Sequence, residues 1–158
     1  MKVALIITAI LPALVVVSLI VLGVISQSGR APGIVGGKLA KCSANANCVC
    51  TEFESDAKHY IKPLKINADD AAAVHIAQVK HIIERMNGKI LASNQNYLAT
   101  TFTSSMFRFV DDMEIRMDEQ EKLIHIRSSS RVGRGDLGVN RKRTEEFKTL
   151  FNGTTSKR

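Results

Sequence analysis

The sequence has no tryptophan, and only 5% of its residues are aromatic. Stacking platforms for unpaired bases need aromatic faces. Nucleic acid is therefore not an expected partner, even with a net charge of +7. Paired Cys-x-x-Cys knuckles are missing, and His59 is the one nearby fourth ligand for the three cysteines, so no metal is expected. Cys-x-x-Cys-His is missing too, which removes attached c-type haem. There is no Gly-x-Ser-x-Gly elbow and no phosphate-binding P-loop. Gly133-Arg134-Gly135 leads into loop residues rather than a clean helix start, so it is not read as a dinucleotide-binding turn. No catalytic residue and no cofactor are predicted.

What the chain does have is a long apolar run. From Met1 to Ile25 the polar positions are Lys2, Thr8 and Ser18. A bilayer core needs about 20 such residues. Two readings stand: a retained anchor, which the length favours, and a signal peptide cleaved near Ser26-Gln27-Ser28. The flanking charges place the rest of the chain in the cytoplasm by a positive-inside count. The cysteines point the other way. Cys42 and Cys48 can close a small loop in an oxidising compartment, with Cys50 left over. We therefore expect a membrane-anchored domain in the periplasm or another extracytoplasmic space.

Composition divides the chain into an anchor or signal over 1–26, a glycine-rich linker over 27–41, a domain over 42–152 and a basic tail over 153–158. The linker is expected to behave as a flexible tether. Ala72, Ile76, Val79, Ile83 and Met86 form one stripe of an amphipathic helix. Asn67 is its expected cap, with Asp69 and Asp70 in the first turn and Gly88 as the stop. His75 and His81 lie six apart, too far around a helix to share a metal, and are expected solvated or half-buried. The period then changes to two, predicting strands over 89–92, 97–103, 107–116 and 122–130. A last helix is predicted over 141–151, capped by Asn140. The fold class expected is α+β: an N-terminal transmembrane helix, a helix, a four-stranded antiparallel meander and a C-terminal helix, both soluble helices covering one sheet face.

The densest chemistry lies in the last two strands. Alternation puts Phe107, Phe109, Met113 and Ile115 on one face and Arg108, Asp112 and Glu114 on the other. Matching apolar to apolar pairs Ile115 with Ile124 and Met113 with Ile126. It sets Glu114 opposite His125, Asp112 opposite Arg127 and Arg108 opposite Arg131. One reading makes these cross-strand ion pairs. The other gathers Arg108, Arg127, Arg131 and Arg134 beside the glycines and the start of the last helix, with Asn140 and Arg141, as an anion pocket. Asp136 is the internal carboxylate that competes with such an anion.

These residues also carry a resemblance. Cys42-Ser43-x-Asn45-x-Asn47-Cys48-Val49, Ile61-x-Pro63-Leu64 and Tyr97-Leu98-Ala99 match the family known as domain of unknown function 1499. So do Phe107-Arg108-Phe109-Val110-Asp111-Asp112-x-Glu114, Ile126-Arg127-Ser128-x-Ser130-Arg131-Val132-Gly133 and Asp136-Leu137-Gly138-Val139-Asn140-Arg141-Lys142-Arg143. The resemblance covers roughly Cys42 to Phe151. The sequence departs from it at Ala46, where proline is usual, and at Cys50, where serine is usual. Members are typically exported or membrane-anchored bacterial proteins with plastid relatives, which implies an extracytoplasmic domain and no known activity. The expected function is a non-enzymatic binding module for an anionic lipid or an acidic protein partner. The alternative is an envelope hydrolase or transferase using Asp112, His125 and Ser128 or Ser129.

Overall fold

A computed structural model describes residues 2–66 and 72–155. The elements run α1 (Lys2–Gln27), β1 (Ile34–Val35), β2 (Lys38–Leu39), β3 (Cys48–Cys50), β4 (Leu64–Lys65) and α2 (Ala72–Arg85). They continue β5 (Lys89–Ser93), β6 (Tyr97–Thr103), β7 (Val110–Asp118), β8 (Leu123–Ser130) and α3 (Val139–Thr155). The window Ile10–Gln27 of α1 is long and apolar enough to cross a membrane, as anchors and signal sequences both are. The expected cap at Asn67, with Asp69 and Asp70, lies outside the described residues.

The class is α+β as expected, but the sheet is larger than a four-stranded meander. Strands β5 to β8 form that meander, and β3 and β4 both pair with the outer edge of β8, giving six strands. The reason is the edge itself: eight residues of unpaired backbone on β8 need partners. Between the two short strands, Thr51 N–H donates to the Ile126 carbonyl at 3.0 Å. The Thr51 Oγ1 accepts from Ile126 N–H at 2.9 Å, so the seam is closed.

One sheet face is apolar and covered by α2 and α3. Its core includes Ile76, Val79 and Ile83 from α2, Phe147 and Phe151 from α3, and Met113, Ile115, Ile124 and Ile126 from the sheet. His75 is fully buried there, contrary to the solvated or half-buried expectation. Asn87, not Gly88, takes the left-handed conformation after α2. Gly88 is instead held by close packing, since a Cβ there would meet Ile83 and Phe102 at 2.8 Å.

The β7–β8 register differs by two residues from the expected one. Ile115 pairs with Ile126, Glu114 with Arg127, Asp112 with Ser129 and Arg116 with His125. The cause is the turn. Asp118 accepts backbone N–H groups from Gln120 and Glu121, at 3.1 and 3.0 Å, and Lys122 takes a φ of 54°. The strand therefore extends to Asp118, and the turn moves along by one residue. At its other end β7 begins at Val110, because residues 104–109 close a loop. Ser104 N–H donates to the Phe109 carbonyl at 2.8 Å, and Phe109 N–H to the Ser104 hydroxyl at 2.9 Å. Phe107 and Phe109 thus leave the core and sit half-buried in that loop.

The segment expected as a loose tether packs on the second sheet face. Gly36 and Gly37 have φ of 59° and 82°, as a tight hairpin turn between β1 and β2 requires. Leu39 is fully buried against Cys42, Cys48, Cys50, Phe53 and Tyr97. Cys42 and Cys48 are placed as a disulfide, with Cα atoms 5.8 Å apart.

Candidate functional site: a polar sheet face and a groove beside the N-terminal helix

The second sheet face is polar and yet buried. Glu114 has no exposed surface. Its carboxylate accepts from the Arg127 guanidinium at 3.1 Å, the Tyr97 hydroxyl at 2.8 Å and the Gly33 backbone N–H at 2.8 Å. Burial, then the Glu114 hydrogen bond, pushes the Tyr97 hydroxyl well above its ordinary pKa. Beside it, Asp112 takes a two-pronged contact from Arg131 at 2.9 and 2.7 Å. Further along, Arg116 pairs with Glu52 at 2.7 Å and with Asp118 at 3.2 Å. His125 Nδ1 lies 3.1 Å from the Thr51 hydroxyl and 3.7 Å from Glu52. Burial lowers the His125 pKa, against an upward pull from Glu52. Burial also pushes the Cys50 thiol up to about 11, so it is a poor nucleophile at neutral pH.

The register shift changes every predicted polar pair. Arg127 faces Glu114 rather than Asp112, and His125 faces Arg116 rather than Glu114. Arg108 is not in the sheet at all; it sits in the 104–109 loop with a φ of 60°. The hydrolase constellation is not assembled. Ser128 points to the helix side, where its hydroxyl donates to Asn140 at 2.6 Å. Asp112 and His125 share a face but lie four positions apart along the register, roughly 13 Å at the rise of a strand.

The predicted anion residues divide into two groups. Arg127 and Arg131 are neutralised by buried carboxylates. Arg141 reaches the backbone carbonyls of Tyr60 and Lys58, both at 3.2 Å. Asn140 is not the cap of α3 but a rivet inside its first turn. It donates to the Asn47 carbonyl and the Ser130 hydroxyl, at 3.1 and 2.9 Å, and accepts from Arg143 at 2.7 Å. Capping falls to Asp136, which accepts from the N–H of Gly138 at 3.0 Å and of Asn140 at 2.7 Å. Gly133, Gly135 and Gly138 do stand between β8 and α3 at dinucleotide-fingerprint spacing. The setting is wrong for it: β8 is antiparallel to its neighbours, and Asp136 already occupies the anion position. That leaves Arg108 and Arg134. Both are exposed, and among the described residues neither side chain has a hydrogen-bond or ion-pair partner.

The sequence neighbours of those two arginines, Phe109, Gly133 and Gly135, line a groove that sequence reasoning missed. A cavity of about 480 Å³ opens between α1 and the loops at 104–109 and 132–139. Leu19 and Leu22 of α1 form one wall; Phe109, Val110, Val132 and Val139 form the other. Met106 and Leu137, on the same loops, are exposed, and Leu137 holds a φ of 55°. No periodic signal marks this groove, because its walls come from separate loops. The carboxylates of Asp118 and Glu121 and the ring of His125 bring ligand atoms within 4.8 Å of one another. The Arg116 guanidinium on Asp118 opposes a cation there.

The family described as Protein of unknown function (DUF1499) matches residues 38–151. The chain belongs to this family. No curated protein matches it. The family match begins at β2 and ends within α3, so it takes in the polar face and the loops of the groove. Six of the residues that suggested the family, Asn47, Ser128, Ser130, Asp136, Asn140 and Arg143, form one hydrogen-bonded set. Asn47 also holds the glycine loop through the carbonyls of Val132 and Gly133, at 3.2 and 2.9 Å.

Proposed function

We propose that the protein is a membrane-anchored, extracytoplasmic and non-enzymatic module. It binds an anionic ligand where α1 meets the sheet domain. The observation that carries this reading is the division among the arginines. Arg127 and Arg131 already have buried carboxylate partners, while Arg108 and Arg134 are exposed, lack a partner among the described residues, and are next in sequence to residues that line a concave surface. An unpaired guanidinium is a ready fork for phosphate or carboxylate. The disulfide between Cys42 and Cys48 supports an oxidising compartment.

Two measurements test it. A compartment-sensitive reporter fused after Arg158 is expected to signal an extracytoplasmic domain; a cytoplasmic signal overturns that part. The full chain in a neutral detergent is expected to bind micelles doped with an anionic lipid in a salt-sensitive way. Arg108→Ala/Arg134→Ala abolishes that binding on this reading, and Arg141→Ala leaves it intact. Equal binding by the double variant and the wild type defeats the anion assignment.

A further inference from the structure

We infer that the groove beside α1 seats one acyl chain of an anionic phospholipid, with the headgroup phosphate at Arg108 and Arg134. The inference rests on the membrane and anion reading above and adds the ligand class and its pose. Three observations carry it.

The first is the wall of the groove. Leu19 and Leu22 belong to a helix long and apolar enough to cross a bilayer. A span of about 20 residues from Val3 reaches Leu22. Leu19 and Leu22 then stand at the boundary between acyl chains and headgroups, about 9 Å and 5 Å below Ile25 at the helical rise. The groove mouth opens at that level, so the nearest apolar molecules are lipid chains. The second is what projects beside it. Met106 is 78% exposed and Leu137 is fully exposed, both on the loops that line the groove. In water such residues have no partner; at a membrane surface they enter the interface. The third is charge. Arg108 precedes Phe109, and Arg134 lies between Gly133 and Gly135, all three lining the cavity. The lining also holds Asp111 and Asp136, but these are already taken by Arg143 and by the backbone at the start of α3. The two exposed guanidiniums next in sequence to the lining are left to complement a phosphate whose acyl chain fills the mostly apolar cavity. The volume of about 480 Å³ falls within the usual range for ligand sites, about 300–1,000 Å³.

The test uses the full chain in bilayer nanodiscs of a zwitterionic lipid carrying a minor fraction of phosphatidylglycerol with a spin-labelled chain. Three proteins are compared. Gly135→Phe adds a ring at a residue of the groove lining; a Cβ at Gly135 meets nothing within 4 Å, so the backbone accommodates it. Arg108→Ala/Arg134→Ala removes the phosphate contacts. In the wild type a motionally restricted lipid signal is expected. Gly135→Phe removes it while salt-sensitive preference for anionic lipid persists. The arginine variant loses preference for the anionic headgroup by roughly thirtyfold, about fivefold per cation. A restricted signal unchanged in Gly135→Phe overturns the acyl-chain site, even if the arginines still select anions. Unchanged anion preference in the arginine variant overturns the underlying anion reading instead. Inorganic phosphate competing as well as phosphatidylglycerol shows a free-phosphate site and overturns the lipid assignment.

Discussion

At the scale of single residues, Glu114 is held on three sides. It is fully buried, and it answers a cation, a phenol and a backbone N–H at once. Glu114→Gln keeps an oxygen for Tyr97 and Gly33 but strips the charge that balances Arg127. Breaking one side of a buried ion pair costs about 3–5 kcal/mol. Denaturation of the full chain in detergent should show a loss of that size. Adding Arg127→Met should recover part of it, because the orphaned cation is gone; no recovery would mean the pair is not the source. His125 supports a second expectation. Burial depresses its folded pKa below the ordinary 6.5, so the unfolded chain takes the proton first. Its contribution is complete well above pH 6.5 and is lost over the interval in which pH falls through 6.5 and on through the lowered folded pKa. The wild type should therefore lose stability across that interval more steeply than His125→Gln; parallel curves would refute the assignment. Within β7 and β8, alternation alone picked out Met113, Ile115, Ile124 and Ile126 as core, but it also assigned Phe107 and Phe109, which the 104–109 loop carries out of the sheet. Their partners were not. Faces depend on parity, and a two-residue slip preserves parity while changing every ion pair.

At the scale of elements, the start of α3 shows why an anion site suggested itself. Arg141, Lys142 and Arg143 stand in the first turns, where the helix dipole disfavours cations. The chain resolves this internally: Asp136 caps the backbone, and Asp111 pairs with Arg143 at 2.8 Å. Asp136→Ala should cost about 1–2 kcal/mol, as loss of a helix cap does. Amide exchange at Asn140 and Gly138 should rise with it; unchanged exchange would show that another group caps the helix. The sequence carried α2, β6 and α3 well, since each is long enough to repeat its period. It could not carry β3 or β4, which have three and two residues and exist because β8 has an edge to fill. The β1–β2 hairpin was hidden differently. Its Gly36-Gly37 turn reads as linker composition until Leu39 is seen buried under it. Of the rivets, the sequence placed Asn140 and Asp136 at an anion pocket and did not join them to Asn47, Ser128 and Ser130. Their polar atoms face one another rather than a ligand.

At the scale of the molecule, the question is whether α1 is a leader to be discarded or a part of the fold. Its last turns are built into the domain. Ser26 is 1% exposed, and its hydroxyl accepts from Val110 N–H at 3.1 Å. Arg131 donates to the carbonyls of Ser26 and Gln27, at 3.2 and 3.4 Å, as a cation at a helix C-terminus should. Gly23 packs so closely on the Phe107 carbonyl that any Cβ would collide with it. Cleavage near Ser28 would strand Val110 N–H, remove two acceptors from Arg131 and delete one wall of the groove. On this basis the membrane-extracted protein should retain residues 1–27 by intact mass. Gly23→Leu should lever the helix off: exchange protection at Val110 falls, while the Cys42–Cys48 disulfide and the α2–α3 core persist. A mass that ends at Ser28, or protection at Val110 indifferent to the substitution, would make α1 a leader. Arg131 joins the end of α1 to Asp112 on β7, so a displacement of α1 bears on the buried polar face that Glu114 and Arg127 hold together.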